Sequence, residues 1–289
     1  YSWGMAVSAD ESTAVLLSRG AFQVISTAEP KVVDRFPAFG QTAPTWLEDG
    51  AYMGCVFSPD SQKLYLGSAN HGEIVVYDLK TRSDVDRIDI NGNGYEDSFL
   101  GDFLLSNDGT FLYGVDQFNY RMVVVDLGQR RVVRSVRVGR NPFGICLSPD
   151  AKYAWVSNVG MFEYPLLPGV TPQSGPTAGL SFPAYGVPSK ESEEGVVAEG
   201  KQIPGLGSPN HPDAMSVFKV ELETGRVEAK IKTGYLVGQR RGDINTVGGA
   251  SPSTVVAGKR FAYVSNATND TISIIDVQSN AIVDQVELL

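Results

Sequence analysis

Apolar and polar residues alternate in short runs along most of the chain, and tight polar turns separate the runs. The clearest example is the stretch 55–68, where one apolar run ends at Ser58-Pro59-Asp60 and the next begins at Leu64. A third run follows at 74–78 and closes on Asp78. Short runs of this kind, bounded by Gly, Pro, Asn, Asp and Ser, predict antiparallel β-strands rather than helices.

This pattern recurs with a fixed spacing. An aromatic residue follows the turn serine after seven positions, in the pairs Ser58–Tyr65, Ser106–Tyr113 and Ser148–Trp155. An aspartate follows after twenty positions, at Asp78 and Asp126; in the last copy Val256 replaces the serine, yet Tyr263 and Asp276 keep both offsets. A period of roughly 40–50 residues with several short strands per period is typical of propeller blades.

The predicted fold class is therefore all-β, a β-propeller of four-stranded antiparallel blades that forms a single domain over residues 1–289. Five blades are recognised, at about residues 3–37, 52–90, 99–138, 141–235 and 253–288. An insertion at 159–213 interrupts the fourth blade; it holds nine of the sixteen prolines and has neither strand nor helix periodicity. Long segments of this kind inside compact domains are uncommon and often functional.

Each predicted blade runs from an inner to an outer strand, and none is assembled from both ends of the chain. Either five blades close a ring by side-chain packing alone, or further blades lie outside this chain; we favour the second. Because the chain begins at Tyr1 without a methionine, we expect a processed or trimmed product, in which a missing leader says nothing about compartment.

Composition excludes some classes of function. The net charge is −9 and no basic stripe is present, which argues against nucleic-acid binding. No apolar run approaches the ~20 residues of a membrane-spanning helix. Two cysteines are too few for a disulfide framework, and strand alternation predicts that Cys55 and Cys146 face opposite ways and stay unbonded.

Several motifs resemble one known family. Phe57-Ser58-Pro59-Asp60, Leu64-Tyr65-Leu66, Trp155-Val156-Ser157-Asn158 and Tyr263-Val264-Ser265-Asn266, with strands closing on Val-Tyr-Asp, Val-Val-Asp and Ile-Ile-Asp, resemble the YVTN family of β-propeller repeats. The insertion and Gly248-Gly249-Ala250-Ser251-Pro252 look like the propeller part of secreted bacterial proteins that join YVTN repeats to a phosphoesterase domain.

The resemblance implies a ring of about seven blades, a periplasmic or extracellular location, and a fused or associated phosphoesterase domain. The lactonase branch of propellers is also similar in its repeats, and its active site uses several histidines. This chain has only His71 and His211, so no lactonase residue carries over.

The stretch 89–97 has the oxygen-ligand spacing of a calcium loop. The predicted ligands are Asp89, Asn91, Asn93, the carbonyl of Tyr95, and Asp97, with Asp102 standing in for the glutamate expected at position 12, where Leu100 lies. The alternative is a turn between blades that uses two Asn-Gly pairs for backbone reasons.

The residues that open the inner strands line the central channel of a propeller, where ligands are commonly held. The candidates are Trp3, Tyr52, Asp102, Asn141, Phe143 and Ser253. Phe162, Tyr164, Phe182 and Tyr185 in the insertion either form an adhesive surface or pin the insertion to its blade.

Three functions are compatible with these features, the weakest being a propeller subunit that docks an electron-transfer or cofactor-bearing partner. The first is a non-catalytic recognition or scaffold module that binds a partner protein, a glycan or a small ligand through the channel face and the insertion. The alternative is a hydrolase, either lactonase-like or part of a phosphoesterase. The scarcity of histidine favours the first.

Overall fold

The computed structural model describes residues 2–48, 51–171, 174–198 and 200–288 of the protein. The side chains of residues 2, 3, 51, 52 and 176 lie outside this description. The described part is all-β, as the apolar alternation predicts, and contains five four-stranded antiparallel sheets and two short hairpins.

The sheets follow one another along the chain. Sheet 1 comprises β1 (Ser2–Val7), β2 (Thr13–Ser18), β3 (Ala21–Ser26) and β4 (Lys31–Phe36). Sheet 2 comprises β5 (Ala51–Phe57), β6 (Lys63–Ser68), β7 (Glu73–Asp78) and β8 (Ser83–Asp89). Sheet 3 comprises β9 (Leu100–Leu105), β10 (Phe111–Asp116), β11 (Arg121–Asp126) and β12 (Arg131–Arg137).

Sheet 4 is interrupted after its second strand. It comprises β13 (Pro142–Leu147), β14 (Tyr153–Asn158), β17 (Ser216–Glu221) and β18 (Val227–Lys232). The hairpin β15 (Gly195–Ala198) and β16 (Lys201–Pro204) lies between β14 and β17, and the hairpin β19 (Arg240–Arg241) and β20 (Ile244–Asn245) follows β18. Sheet 5 comprises β21 (Pro252–Ala257), β22 (Phe261–Asn266), β23 (Thr271–Asp276) and β24 (Ala281–Glu287).

The repeated serine and aspartate of the sequence build the turn between the first and second strands. In sheet 2 the Ser58 hydroxyl donates to the Asp60 carboxylate at 2.6 Å and accepts the Lys63 amide at 2.9 Å. Ser61 adopts a left-handed conformation with φ +58°. The same bonds join Ser148 and Asp150, so local hydrogen bonding fixes these turns.

Consecutive sheets pack face to face. Four core clusters each combine one face of a sheet with the opposite face of the next, for sheets 1 and 2, 2 and 3, 3 and 4, and 4 and 5. The first strands β1, β5, β9, β13 and β21 contact one another in that order. The described residues show no closed ring, because no core cluster joins sheet 5 to sheet 1.

Glycine permits the close approach of these first strands. A Cβ on Gly4 would lie 2.1 Å from the carbonyl oxygen of Met53, and one on Gly54 would lie 2.0 Å from a ring carbon of Phe103. Both distances are far shorter than a carbon atom tolerates, so a side chain at either position would push two neighbouring sheets apart.

Two segments outside the predicted strands contain short elements of secondary structure. The connector before sheet 2 forms α1 (Thr45–Glu48), whose Trp46 and Leu47 are buried in the core between sheets 1 and 2. The insertion contains a 3₁₀ turn at Gly175–Thr177, the helix α2 (Lys190–Glu194) and the β15–β16 hairpin. These elements cannot be recognised in the sequence because each is too short to show a hydrophobic periodicity.

The described helices are all too short to cross a lipid bilayer. Both cysteines are free, with Cys55 in the core between sheets 1 and 2 and Cys146 in the core between sheets 4 and 5. Burial raises the pKa of each thiol to about 12, so both are packing residues of low reactivity, and they are unbonded as predicted.

Candidate functional site

The connections between strands divide into two groups that lie at opposite ends of the sheets. The turns joining first to second and third to fourth strands form what we call the turn end, where they are short. The connections from second to third strands, and from each sheet to the next, form the loop end, where the long segments 37–50, 90–99, 159–215 and 233–251 lie.

Exposed apolar side chains in connections lie at the loop end. The exposed large apolar residues of the loop-end connections are Phe39, Phe118, Tyr164, Leu180, Phe182, Val187, Val197, Ile244 and Val247, and we call this set the loop-end apolar surface. No large apolar residue of the turn-end connections is exposed in the described part of the chain. This one-sided distribution makes the loop end the candidate interaction surface of the chain.

The start of the insertion is hydrogen-bonded to the loop end, and three of its apolar residues are buried. Phe162, Leu167 and Leu206 are buried, and the Arg140 guanidinium donates to the carbonyl of Met161 at 2.5 Å. Of the aromatic residues proposed as adhesive or pinning, Phe162 is therefore the buried one.

The other three aromatic residues of the insertion differ from Phe162. Tyr164 is exposed and donates to the carbonyl of Tyr185 at 3.0 Å, and Phe182 is exposed. Tyr185 is partly buried, and its own hydroxyl has no partner. The insertion is thus both anchored and adhesive in composition.

A cleft of about 340 Å³ separates the insertion from sheet 3. It is lined by Tyr120, Glu163, Tyr164, Pro165, Gly205 and Leu206. Arg137 stands 4.6 Å from the centre of the Tyr120 ring and pairs with Glu163 at 2.6 Å. Because both partners of this ion pair are partly exposed, it contributes about 1 kcal/mol at most and positions the cleft wall rather than stabilising the fold.

A buried arginine organises the loop 90–99 beside this cleft. The Arg121 guanidinium pairs with Asp116 at 2.8 Å, and both side chains are fully buried. It also donates to the carbonyl of Ile90 at 2.7 Å and to the Ser135 hydroxyl at 2.9 Å. The ring of Tyr95 covers it at 3.8 Å. The loop is therefore fixed to sheet 3 by charge-assisted hydrogen bonds and a cation–π contact.

The predicted calcium ligands lie in this loop, and protein donors occupy some of their oxygens. Asp89 accepts the backbone amide and the side-chain amide of Asn91, both at 2.8 Å. The Asn91 side-chain oxygen accepts the amide of Ser98 at 3.0 Å. Asn93 and Asp97 both have positive φ and are exposed. The loop shows the Asn-Gly turn geometry of the alternative interpretation, and calcium stays a prediction.

Asp102, the sixth predicted ligand, bridges two sheets. Its carboxylate accepts the amides of Phe103 at 3.0 Å and of Ile145, in sheet 4, at 3.2 Å. Burial raises its pKa to about 6. No cluster of three or more His, Cys, Asp or Glu side chains suited to a metal ion exists among the described residues.

The residues predicted to line a channel are only partly described. Trp3 and Tyr52 lie in β1 and β5, but their side chains fall outside the described residues. Phe143 is half-buried in β13, and the buried side-chain oxygen of Asn141 has no partner. Ser253, half-buried in β21, accepts the Ser157 hydroxyl on its carbonyl at 2.8 Å.

Three of these predicted residues therefore belong to neighbouring first strands. Asp102 reaches β13 through Ile145. Phe143 lies in β13, beside Gly144, whose added Cβ would meet the carbonyl of Ser253 at 2.5 Å. Asp102 and Ser253 thus each take part in a hydrogen bond between neighbouring sheets, and a ligand-binding role for these three residues stays a prediction.

A cavity of about 340 Å³, which no motif in the sequence indicated, lies at the turn end between sheets 4 and 5. Tyr153, Trp155 and Lys219 line it together with residues of both turns. Lys219 lies on the third strand of sheet 4, opposite Trp155. The corresponding position holds an apolar residue in sheets 2, 3 and 5, namely Val76, Val124 and Ile274.

Burial lowers the pKa of Lys219, and its ammonium lies 4.4 Å from the centre of the Tyr153 ring. Its ammonium donates to the carbonyl of Val277 at 2.9 Å and to Asn280 at 3.1 Å. Lys219 thus links sheet 4 to sheet 5 through its hydrogen bonds. In the sequence, the only sign of this cavity was a lysine within an otherwise apolar strand pattern.

Comparison with known proteins adds no relative. No protein-family model matches the chain, and a search of curated proteins gave no match.

Proposed function

We propose that the chain is a non-catalytic recognition module of the YVTN propeller type that binds a partner protein through its loop end. The observation that carries the proposal is the loop-end apolar surface, which has no counterpart among the described turn-end connections. The consecutive packing of five similar sheets, with their first strands in contact, supports the interpretation of the sheets as propeller blades.

The loop end is suited to a protein partner because its exposed aromatic side chains are held in place. Phe118 stacks on Phe99 with ring centres 4.8 Å apart, and Tyr164 donates to the backbone of the insertion. Rigid aromatic anchors lose little conformational entropy on binding, which is why they dominate the affinity of protein interfaces.

Site-specific photo-crosslinking tests this proposal. A benzophenone amino acid replaces Phe118 or Phe182 at the loop end, or Val133 on the exposed outer strand of sheet 3 as the matched control. In extracts of the cells that make the protein, both loop-end positions should give the same crosslinked protein, and the control should not. Equal yields at all three positions, or none at either loop-end position, would contradict the proposal.

Assays for turnover test the non-catalytic part. The purified chain should hydrolyse neither lactones nor phosphate esters above the uncatalysed rate. Turnover that co-purifies with the chain and is lost on its unfolding would assign it to the hydrolase alternative. The resemblance supports a periplasmic or extracellular location and an associated phosphoesterase domain, and both belong to this proposal.

Calcium binding at 89–97 is kept as a separate proposal, carried by the ligand spacing. Titration calorimetry should give a heat of binding that Asp97→Asn reduces. Wild-type protein that gives no heat with millimolar calcium would end this proposal.

A further inference from the structure

The cavity at the turn end between sheets 4 and 5 has a buried floor and an exposed rim. Of the residues that line it, Trp155 is 1% exposed and Lys219 is 7% exposed, whereas Asp150 and Lys259 are exposed. A volume of about 340 Å³ is at the lower end of the range for small-molecule sites, so the cavity has room for a ligand of one or two rings.

Long charged side chains fill the matching position of the other sheet interfaces. The fourth-strand residues that pair with the centre of the third strand in sheets 1, 2 and 3 are Asp34, Asp86 and Arg134. Each aspartate pairs with a turn arginine of the next sheet, and Arg134 donates to the carbonyl of Leu222 in sheet 4. Sheet 4 has Ala229 at this position, so no long side chain from it enters the space between sheets 4 and 5.

Lys219 places a cation at the floor of this space. Its ammonium donates to the carbonyl of Val277 and to Asn280. Since an ammonium has three donors, one donor has no partner among the described residues. Lys219 also forms no ion pair within the described part of the chain, although lysine side chains are seldom buried without one. An anionic ligand would supply both the missing acceptor and the missing charge.

Two carboxylates act on this cation from a longer distance, and both are engaged elsewhere. Glu228 pairs with Arg226 at 2.6 Å, and Asp150 accepts hydrogen bonds within its own turn. The lining of the cavity carries Lys219 and Lys259 against the single carboxylate of Asp150. Its net charge is therefore positive, which favours an anion over a cation.

The walls of the cavity favour a flat ligand. The ammonium of Lys219 lies 4.4 Å from the ring centre of Tyr153 and 5.4 Å from that of Trp155, and both rings line the cavity. Aromatic side chains pack well against other flat rings. A carboxylate is the anion that suits the remaining donor of Lys219, because charge-assisted hydrogen bonds of this type are short and strong.

We propose that the cavity between sheets 4 and 5 binds a small aromatic carboxylate, with the carboxylate on Lys219 and the ring against Tyr153 and Trp155. Lys259, at the exposed rim, adds a second positive charge at the entrance. Because the cavity lies at the turn end, this inference does not depend on the proposed loop-end partner.

Titration with benzoate, followed by the chemical shifts of backbone amides, tests the proposal on the unaltered chain. Benzoate should shift amides of 148–155, 258–259 and 277, which surround the cavity. Benzamide has the same shape without the charge, and it should bind about tenfold more weakly or worse, as expected for the loss of a charge-assisted hydrogen bond. Cyclohexanecarboxylate keeps the charge without the flat ring and should also bind more weakly than benzoate.

A substitution at the floor identifies the cation. Lys219→Met keeps an unbranched side chain but removes the ammonium, and it should weaken benzoate binding by about tenfold or more. Lys201→Met, the same change at an exposed position of the β15–β16 hairpin, should leave the affinity unchanged. Urea unfolding confirms that each variant is folded, and the comparison of benzoate with benzamide decides the matter even where Lys219→Met does not fold.

Three results would overturn the proposal. In the first, benzoate shifts none of the amides around the cavity. In the second, benzamide or cyclohexanecarboxylate binds as tightly as benzoate. In the third, folded Lys219→Met binds benzoate with the affinity of the unaltered chain. Shifts confined to the cavity, together with a clear preference for benzoate that Lys219→Met removes, support the proposal.

Discussion

Replacing Arg121 tests whether a single buried cation holds the loop 90–99. In Arg121→Thr, Asp116 keeps its burial but loses its ion-pair partner. The carbonyl of Ile90 loses the hydrogen bond from the guanidinium, and Tyr95 loses the cation that its ring covers. Breaking a buried ion pair from one side costs about 3–5 kcal/mol, because the remaining charge stays in a medium of low dielectric constant.

A double variant separates this charge penalty from lost packing. Asn266 and Thr271 occupy the matching positions of sheet 5, where the asparagine amide donates to the threonine hydroxyl at 3.0 Å. Asp116→Asn with Arg121→Thr therefore installs a pair that the repeat already uses. Its expected cost is about 1–3 kcal/mol, since unmade hydrogen bonds remain but no unpaired charge does.

Urea unfolding measures the loss of unfolding free energy in each variant, and amide hydrogen exchange shows which residues the loss affects. Exchange should accelerate over 90–99 in both variants, while the turn 58–62 should stay at its wild-type rate because local bonds hold it. A cost below about 1 kcal/mol for Arg121→Thr, or a double variant as unstable as the single one, would refute the assignment of Arg121 as the buried anchor.

Single substitutions test three smaller features of the fold. In Gly54→Ala the new Cβ lies 2.0 Å from a ring carbon of β9, so urea unfolding should show a loss of roughly 1–3 kcal/mol. Gly186→Ala, with no atom within 4 Å, should stay within about 0.5 kcal/mol, and equal losses would contradict the close approach. Burial raises the pKa of Asp102 from 3.8 to about 6, so the folded state binds this proton more tightly than the unfolded chain does. The resulting stability is complete below about pH 4 and is lost as the pH rises through about 6. The unfolding free energy of wild type relative to Asp102→Asn should therefore fall by about 2 kcal/mol from pH 4 to pH 7, and parallel curves would count against it. Ser106→Ala removes the hydroxyl that, with backbone amides, lowers the pKa of Asp108 to about 2; an NMR titration should find the pKa closer to 3.8, and no change would exclude the hydroxyl as the main cause.

The repeat could be predicted because the residues that define it form hydrogen bonds with near neighbours in the chain. The turn serine and aspartate bond to each other within one turn, and the aspartate at the end of the third strand caps the next turn, as Asp78 does for the amide of Thr81 at 2.7 Å. Local bonds of this kind leave a fixed spacing in the sequence, so the strands and the five sheets follow from it.

Other features depend on contacts between residues far apart in the chain, and such contacts produce no regular spacing in the sequence. Trp46 lies in a polar connector, and only the assembled core between sheets 1 and 2 shows that it is buried. Lys219 sits in a predicted strand, but its acceptors Val277 and Asn280 come from another sheet. The loop-end apolar surface likewise becomes visible only when the topology separates the two ends of the sheets.

A row of buried polar side chains explains why the loop end can hold varied segments without losing order. The last residues of β6, β10, β14 and β22 are Ser68, Asp116, Asn158 and Asn266, and all are fully buried or nearly so. Ser68 donates to the carbonyl of Trp46 in the connector, at 3.1 Å. Asp116 accepts the amide of Phe99 at 3.0 Å. Each of these bonds fixes the backbone of an adjoining loop. Loops held in this way would lose less conformational entropy in binding the proposed partner, which supports the proposed recognition role of the aromatic residues they carry.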